Sequence, residues 1–113
     1  MNKEEHYMAG IDAFADGKYD EAVAAYQNAL AEDPNYTDPL HGLAQVYSLQ
    51  GKFDEAIEIA KRITALDPDD VMAHTTLSVL YQKKGMIPEA EAEANQARVL
   101  SWKAQLKEQK GQK

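Results

Sequence analysis

The sequence predicts an all-α protein made of three tandem helical hairpins with an extended C-terminal helix. A six-residue segment is GKYDEA from Gly17, GKFDEA from Gly51 and GMIPEA from Gly85, so it recurs every 34 residues. A fixed period of this size is typical of arrays in which supersecondary units stack side by side. Apolar residues recur with helical periodicity on both sides of each segment. Together these observations predict two helices in each of three units.

The helices follow from the periodicity and from the residues that interrupt it. The first helices of the units are predicted at 3–15, 37–49 and 71–83, and the second helices at 19–32, 53–66 and 87–108. Gly17, Gly51 and Gly85 fall between the two helices of each unit, where glycine adopts the left-handed conformation that ends a helix. Pro34 and Pro68 fall between units, because proline cannot continue a helix interior.

The helix starts carry capping and charge signals. Thr37 is the predicted N-cap of the third helix, and Asp69 or Asp70 is that of the fifth, because these side chains accept hydrogen bonds from free helical N–H groups. Negative charge also stabilises a helix N-terminus. Acidic residues occupy the first turns of the second helices: Asp20, Glu21, Asp54, Glu55 and Glu89.

These features resemble the tetratricopeptide repeat, which has a 34-residue period and the pattern W-x2-L-G-x2-Y, then A-x3-F, A and P. The matching residues are Gly10, Gly17, Ala22, Tyr26, Ala29 and Pro34, then Leu43, Tyr47, Gly51, Ala56 and Pro68, then Leu77, Tyr81, Gly85, Ala90 and Ala97. The sequence departs from the pattern at the tryptophan position, which holds His6, Leu40 and His74. The resemblance implies a right-handed superhelical array.

The resemblance also implies a single domain over residues 1–113, with repeats at about 3–36, 37–70 and 71–104 and a helical extension to about 108–110. Glu5 and Asp12 occupy positions where the second unit has Pro39 and Val46. A polar outer face is typical of a terminal repeat. We therefore expect a complete short protein rather than a piece of a longer array.

Charge is unevenly distributed along the chain, whose net charge is −7. Residues 1–97 carry 7 Lys/Arg and 18 Asp/Glu, whereas residues 98–113 carry 5 Lys/Arg and 1 Asp/Glu. The acidic body argues against nucleic-acid binding, because phosphates would be repelled. The basic tail is either a solvated helix end that suits the helix dipole or a surface that attracts an anionic partner.

Several function classes are not expected. The chain has no cysteine, which excludes disulfides and thiolate metal sites. It shows neither a signal peptide nor the roughly 20 apolar residues that a membrane helix needs, so we expect a cytoplasmic protein without membrane insertion. No G-x-S-x-G, phosphate-binding glycine loop or H-E-x-x-H is present. We therefore expect no enzymatic activity and no cofactor.

No metal site is expected either. His6, His41 and His74 belong to different units, so the fold keeps them apart, and the segment DPDD at 67–70 lacks the spacing of a calcium loop. Three glutamates of the last helix are predicted to form a solvated face: Glu89, Glu91 and Glu93.

The last helix also carries an apolar stripe. Val99, Trp102 and Leu106 share one helical face. Two interpretations are open: the stripe folds over the end of the core, or it is an exposed interface for a partner or a second copy.

The resemblance implies that the first helices line a concave groove that grips a peptide or helix of a partner protein. The expected lining residues are Tyr7, Met8, Ile11, Asp38, His41, Gly42, Gln45, Met72, Thr75, Thr76, Val79, Gln82 and Lys83, with Phe14 and Ser48 beside them. Phe14 and Met8 could equally be packing residues. Gly42 leaves room for a ligand or serves packing, since mid-helix glycine costs about 1 kcal/mol against alanine.

Relatives that hold the acidic C-terminus of heat-shock chaperones use a clamp of lysine, asparagine and arginine. The corresponding residues here are Tyr7, Ile11, Gly42, Met72 and Thr76, none of which is basic or asparagine. We therefore expect an apolar or mixed protein segment as the ligand. The leading hypothesis is a noncatalytic interaction module, and the alternative is a self-assembling scaffold, a homo-oligomer that uses its end surfaces and basic tail.

Overall fold

A computed structural model describes residues 1–111, and these residues form six α-helices without any strand. The helices are α1 (Lys3–Ala15), α2 (Tyr19–Glu32), α3 (Thr37–Leu49), α4 (Phe53–Leu66), α5 (Val71–Lys83) and α6 (Ile87–Gly111). The all-α prediction is confirmed, and α6 extends slightly beyond its predicted end. Residues 112–113, the last two of the predicted basic tail and domain, lie outside the described residues.

The capping of α3 differs from the prediction. Tyr36 occupies the N-cap position without a side-chain capping bond, and Thr37 is already helical. Pro39 stands at the third helical position, where it has no N–H to donate to a capping side chain. Asp70 caps α5 as predicted, because its Oδ1 accepts the N–H of Ala73 at 3.1 Å.

Each hairpin turns on a glycine. Gly17, Gly51 and Gly85 have φ angles of 72°, 75° and 75°, in the left-handed region that glycine adopts without strain. In every turn the following N–H bonds to a carbonyl five residues earlier, as Lys52 does to Tyr47 at 2.8 Å. These bonds satisfy carbonyls that the ending helix would leave free.

Replacing Gly51 with alanine is expected to lower the free energy of unfolding by about 1 to 2 kcal/mol, the cost of a left-handed conformation for an L residue. An added Cβ would meet no atom within 4 Å, so backbone strain and not crowding is the cause. Urea denaturation measures the loss. Gly51→Asn should lose less, because asparagine tolerates this region better. Equal losses in both variants would contradict this explanation.

The hairpins stack through their first helices. Helix α3 contacts both α1 and α2, and α5 contacts both α3 and α4. Each first helix therefore fills the groove between the two helices of the preceding hairpin. Within the hairpins, Ala22, Ala56 and Ala90 are at most 1% exposed, and their small side chains allow the two helices to approach closely.

Tyr26 joins the first two hairpins. It is 1% exposed, and its ring lies between Gly10 of α1 and Gly42 of α3. A Cβ would approach the ring to 2.4 Å if added at Gly10 and to 2.6 Å if added at Gly42. Both glycines therefore make room for this ring. Of the two explanations for Gly42, room for a ligand or packing, the structure supports packing, because the Tyr26 ring fills the space beside this glycine.

The two ends of the array differ. The N-terminal end has a polar outer face, and the C-terminal end has a fully exposed helix segment. At the N-terminal end Glu5 and Asp12 are exposed, as their sequence positions indicate. At the other end, every residue from Ser101 to Gly111 is exposed. The interpretation in which the apolar stripe folds over the core is wrong, because the exposed fractions are 43% for Val99, 60% for Trp102 and 37% for Leu106.

Candidate functional site

Helices α1, α3 and α5 line a groove of about 590 Å³, which we call the concave groove. It is the common surface of the three first helices, and Tyr26, Ala44 and Leu80 contribute to its floor. Its other lining residues are Tyr7, Ile11, Phe14, Asp38, His41, Gly42, Gln45, Ser48, Leu49, Met72, Thr75, Thr76 and Val79.

Three of the predicted lining residues lie elsewhere. Met8 lies beside Met1 at the N-terminal end, since each helical residue is turned about 100° from the one before it. Gln82 faces a separate groove between α5 and α6. The Lys83 ammonium lies 5.7 Å from the centre of the Phe53 ring. Sequence reasoning missed Leu49, although its spacing of four residues from Gln45 could have indicated it.

The groove combines exposed apolar side chains with a few polar groups. Ile11, Met72 and Val79 are 36%, 63% and 43% exposed. Exposed apolar side chains that share one groove are typical of interaction surfaces. Among residues 1–111, no lysine or arginine lines the groove, and Asp38 is its only carboxylate. The surface is therefore suited to apolar or mixed ligands.

A histidine–carboxylate pair fixes the polar side of the groove. The Nε2 of His41 on α3 lies 2.8 Å from Asp70 Oδ2, and both side chains are largely buried. The other oxygen of Asp70 caps α5. Asp70 thus ties His41 to the start of α5 and holds the two helices in register.

Tyr7 contributes an aromatic ring to the α1 wall of the groove and packs against two rings from outside that helix. The Tyr7 ring centre lies 6.0 Å from that of Tyr26 and 5.7 Å from that of Tyr36, in tilted and edge-on arrangements. Burial and the nearby Asp38 carboxylate raise the pKa of Tyr7. Like any tyrosine hydroxyl, that of Tyr7 is protonated at neutral pH and has a proton to donate.

A second histidine pair joins α5 to α6 outside the groove. His74 is 8% exposed, its Nδ1 lies 2.6 Å from Glu93 Oε2, and its Nε2 lies 2.8 Å from the Pro68 carbonyl. The prediction of a wholly solvated glutamate face is therefore wrong at Glu93. The sequence could not show this pairing, because the two residues belong to different helices of the third unit.

We expect the His74–Glu93 pair to contribute more to the free energy of unfolding at about pH 6 than at about pH 8. Burial alone lowers the pKa of His74, but the bonds to Glu93 and Pro68 and the charges of Glu93 and Asp70 raise it overall. A raised pKa stabilises the fold at low pH, and this contribution is lost as the pH rises through the folded-state value. Urea denaturation of wild type and Glu93→Gln at both pH values measures it. The same pH dependence in both proteins would contradict the assignment.

Residues 1–111 contain no group of three or more His, Asp or Glu side chains placed to hold a metal ion. No helix within this range has the length and apolar character needed to cross a membrane.

The family profile of the tetratricopeptide repeat matches residues 13–78 and 49–100. The two matches overlap and together cover most of the sequence. The chain belongs to the tetratricopeptide repeat family. No match to a curated protein reaches significance.

Solved tetratricopeptide structures superpose closely on this repeat protein. A crystal structure of MamA has a TM-score of 0.89 at 27% identity, covering 91% of this chain and 60% of MamA. The second TPR of Spaghetti (RPAP3), bound to HSP90 peptide SRMEEVD, has a TM-score of 0.83 at 21% identity, covering 88% and 93%. The Yersinia enterocolitica type III secretion translocator chaperone SycD has 0.82 at 22% identity, covering 87% and 73%.

The present chain thus spans about three fifths of the MamA chain that it matches. Its tetratricopeptide fold indicates protein–protein interaction, and the family consists in general of noncatalytic interaction modules. Fold alone does not select the partner or the surface that binds it. Those depend on the residues of the particular grooves.

Proposed function

We propose that the concave groove binds a segment of a partner protein that presents an apolar or mixed face, either as an amphipathic helix or as an extended strand. The observation that supports this most is the convergence of Ile11, Met72 and Val79, three exposed apolar side chains from α1 and α5, on one groove. A lone exposed apolar residue needs no explanation, but a contiguous set does. The proposed role is noncatalytic.

The size and chemistry of the groove support a peptide ligand. Its volume of about 590 Å³ is comparable to that of small-molecule pockets, roughly 300 to 1,000 Å³, so it can accept several side chains of a bound segment. Apolar anchors would enter between α1 and α5, while His41, Gln45 and Thr75 would pair with polar groups of the segment. The rigid histidine–Asp70 pair reduces the ordering needed on binding.

An acidic segment suits this groove poorly. The second TPR of RPAP3 is bound to the acidic HSP90 peptide SRMEEVD. In the concave groove here, Asp38 would face such a ligand, and among the described residues no lysine or arginine lines the groove to offset the repulsion. A neutral or weakly basic segment with apolar anchors fits better.

Selection from a displayed peptide library tests the proposal. The library contains amphipathic helices and extended segments of every charge, and the purified 113-residue chain is the bait. We expect enrichment of peptides with apolar residues at helical or alternating spacing and few carboxylates. Fluorescence anisotropy then gives the affinity of each labelled peptide. Enrichment of acidic C-termini alone, or no enrichment at all, would contradict the proposal.

Self-assembly, the alternative that the sequence suggests, would use a different surface. The exposed stripe on α6 and the groove between α5 and α6 lie at the C-terminal end of the array. Substitutions can therefore separate the two activities.

A further inference from the structure

A second groove of about 570 Å³ runs between α5 and α6, and we call it the end groove. Small side chains form its floor and Trp102 stands at one end, with these residues along it: Ser78, Gln82, Ala94, Ala97, Arg98 and Trp102. The depression continues past Ala94 towards Glu91, near the start of α6. Its length and apolar floor suit a helix.

The repeat itself shows what such a groove accepts. In the first two hairpins the equivalent groove holds the next first helix, α3 or α5. Tyr26 and Ala60, the equivalents of Ala94, are 1% and 0% exposed under those helices. Ala94 is only partly buried, because no described residue covers the end groove. Helices joined by short turns are antiparallel, so the vacant position is shaped for a helix antiparallel to α6.

The end of α6 is a helix that lacks a packing partner. Residues 101–111 are all exposed and extend for about 16 Å at 1.5 Å per residue. We call this segment the overhang. A helix of this length is marginal in water unless an apolar face is packed. Trp102 and Leu106 supply such a face, at the i, i+4 spacing that places them side by side.

The distribution of charge along α6 favours one orientation of a second α6 helix beside the end groove. The first part of the helix carries Glu89, Glu91 and Glu93, whereas its later part carries one carboxylate, Glu108, and these cations: Arg98, Lys103, Lys107 and Lys110. In an antiparallel pair centred on Trp102, Lys110 of each copy would lie beside Glu91 and Glu93 of the other. A parallel pair would place like charges together. The overhang thus has the helical form and the apolar face that the end groove requires, and the attraction between opposite charges is confined to its tip.

We propose that two copies of this protein form a two-fold symmetric dimer in which the overhang of each copy lies antiparallel to α6 of the other and fills its end groove. The contact is reciprocal, as a two-fold interface requires. Trp102 is the central anchor, since aromatic residues at the centre of an interface dominate binding energy. Thr75 and Val79 line both grooves, so the dimer also extends one wall of the concave groove.

Analytical ultracentrifugation of the full chain tests the dimer. Wild type is expected at twice the monomer mass of 12.6 kDa. Trp102→Glu should raise the dimer dissociation constant about 30-fold or more while leaving the circular dichroism unchanged, because Trp102 is an exposed anchor. Leu66→Glu is the matched control, an exposed leucine that lines neither groove, and it should remain dimeric. A monomeric wild type, or equal weakening by both substitutions, would overturn the proposal.

Disulfide trapping tests the orientation, and the chain has no native cysteine to interfere. Asn95 and Gln109 lie equally far on either side of Trp102, about 21 Å apart along α6. When Asn95→Cys and Gln109→Cys proteins are mixed and oxidised, the antiparallel dimer predicts mainly the mixed disulfide. Mainly homodisulfides would overturn the antiparallel arrangement. An Ile11→Glu/Met72→Glu variant should still dimerise, which separates this proposal from peptide binding in the concave groove.

Discussion

Replacing Tyr26 with alanine is expected to lower the free energy of unfolding by about 3 to 5 kcal/mol. The side chain is 1% exposed and packs with Leu43 and Val46 of α3. Its removal would leave a cavity between two helix backbones that cannot close without moving a whole hairpin. Because domains are stable by only about 5 to 15 kcal/mol, the loss is large. Urea denaturation at 25 °C followed by circular dichroism measures it.

The glycines on either side of the Tyr26 ring allow a second test, which predicts whether a substitution raises or lowers the free energy of unfolding. Gly42→Ala gains about 1 kcal/mol of helix propensity, but its Cβ would lie 2.6 Å from the Tyr26 ring. The ring cannot retreat, because Gly10 lies against its other face. Overpacking of a core costs about 1 to 3 kcal/mol, so a net loss is expected.

In the Tyr26→Ala background the same substitution should become stabilising, because the ring that it would strike is gone. Gly111→Ala is the control, since its added Cβ meets no atom within 4 Å. A Gly42→Ala variant that is more stable than wild type would show that the ring does not need the glycine.

Glutamate at both Ile11 and Met72 is expected to weaken binding of a selected peptide by about 30-fold or more. Each substitution removes an apolar anchor and forces a carboxylate to lose water at the interface. Both side chains are at least 36% exposed in the free protein, so folding should be little affected. Fluorescence anisotropy with the labelled peptide measures the change.

Met8→Glu provides the matched control. Met8 is on the same helix as Ile11 and is 54% exposed, but it lies outside the concave groove. The substitution adds one negative charge, half of the change in the double variant, and should leave peptide affinity within about twofold, because surface charges away from a contact contribute little. Equal weakening by Met8→Glu would attribute the loss to net charge rather than to the groove.

The fold was predictable because local signals mark every helix. Glycines with left-handed conformations end α1, α3 and α5, and the repeat places them at a fixed spacing. The failure at Thr37 is an error of one residue in the helix boundary, since the helix begins at Thr37 and Tyr36 occupies the N-cap position. The sequence leaves open whether Asp69 or Asp70 caps α5, because the two residues are adjacent and only the backbone geometry shows where the helix begins.

The sequence was enough to predict which helices line the groove, but not every side chain that faces it. Helical periodicity from Tyr7 and Ile11 identifies the inner face, yet the adjacent Met8 points away from it. Gly42 could not be explained from sequence, because the Tyr26 ring that fills its space comes from another repeat. Contacts between helices, such as His74 with Glu93, likewise depend on packing that a linear pattern does not record.

The central claim is that the concave groove holds the partner segment. Chemical-shift mapping of the ¹⁵N-labelled protein with a selected peptide tests it most directly. We predict that the perturbed amides cluster on α1, α3 and α5 around Ile11, Gln45 and Met72, with α2 and α4 unchanged. Perturbations that instead follow the end groove or the outer surface of α2 and α4 would contradict the account.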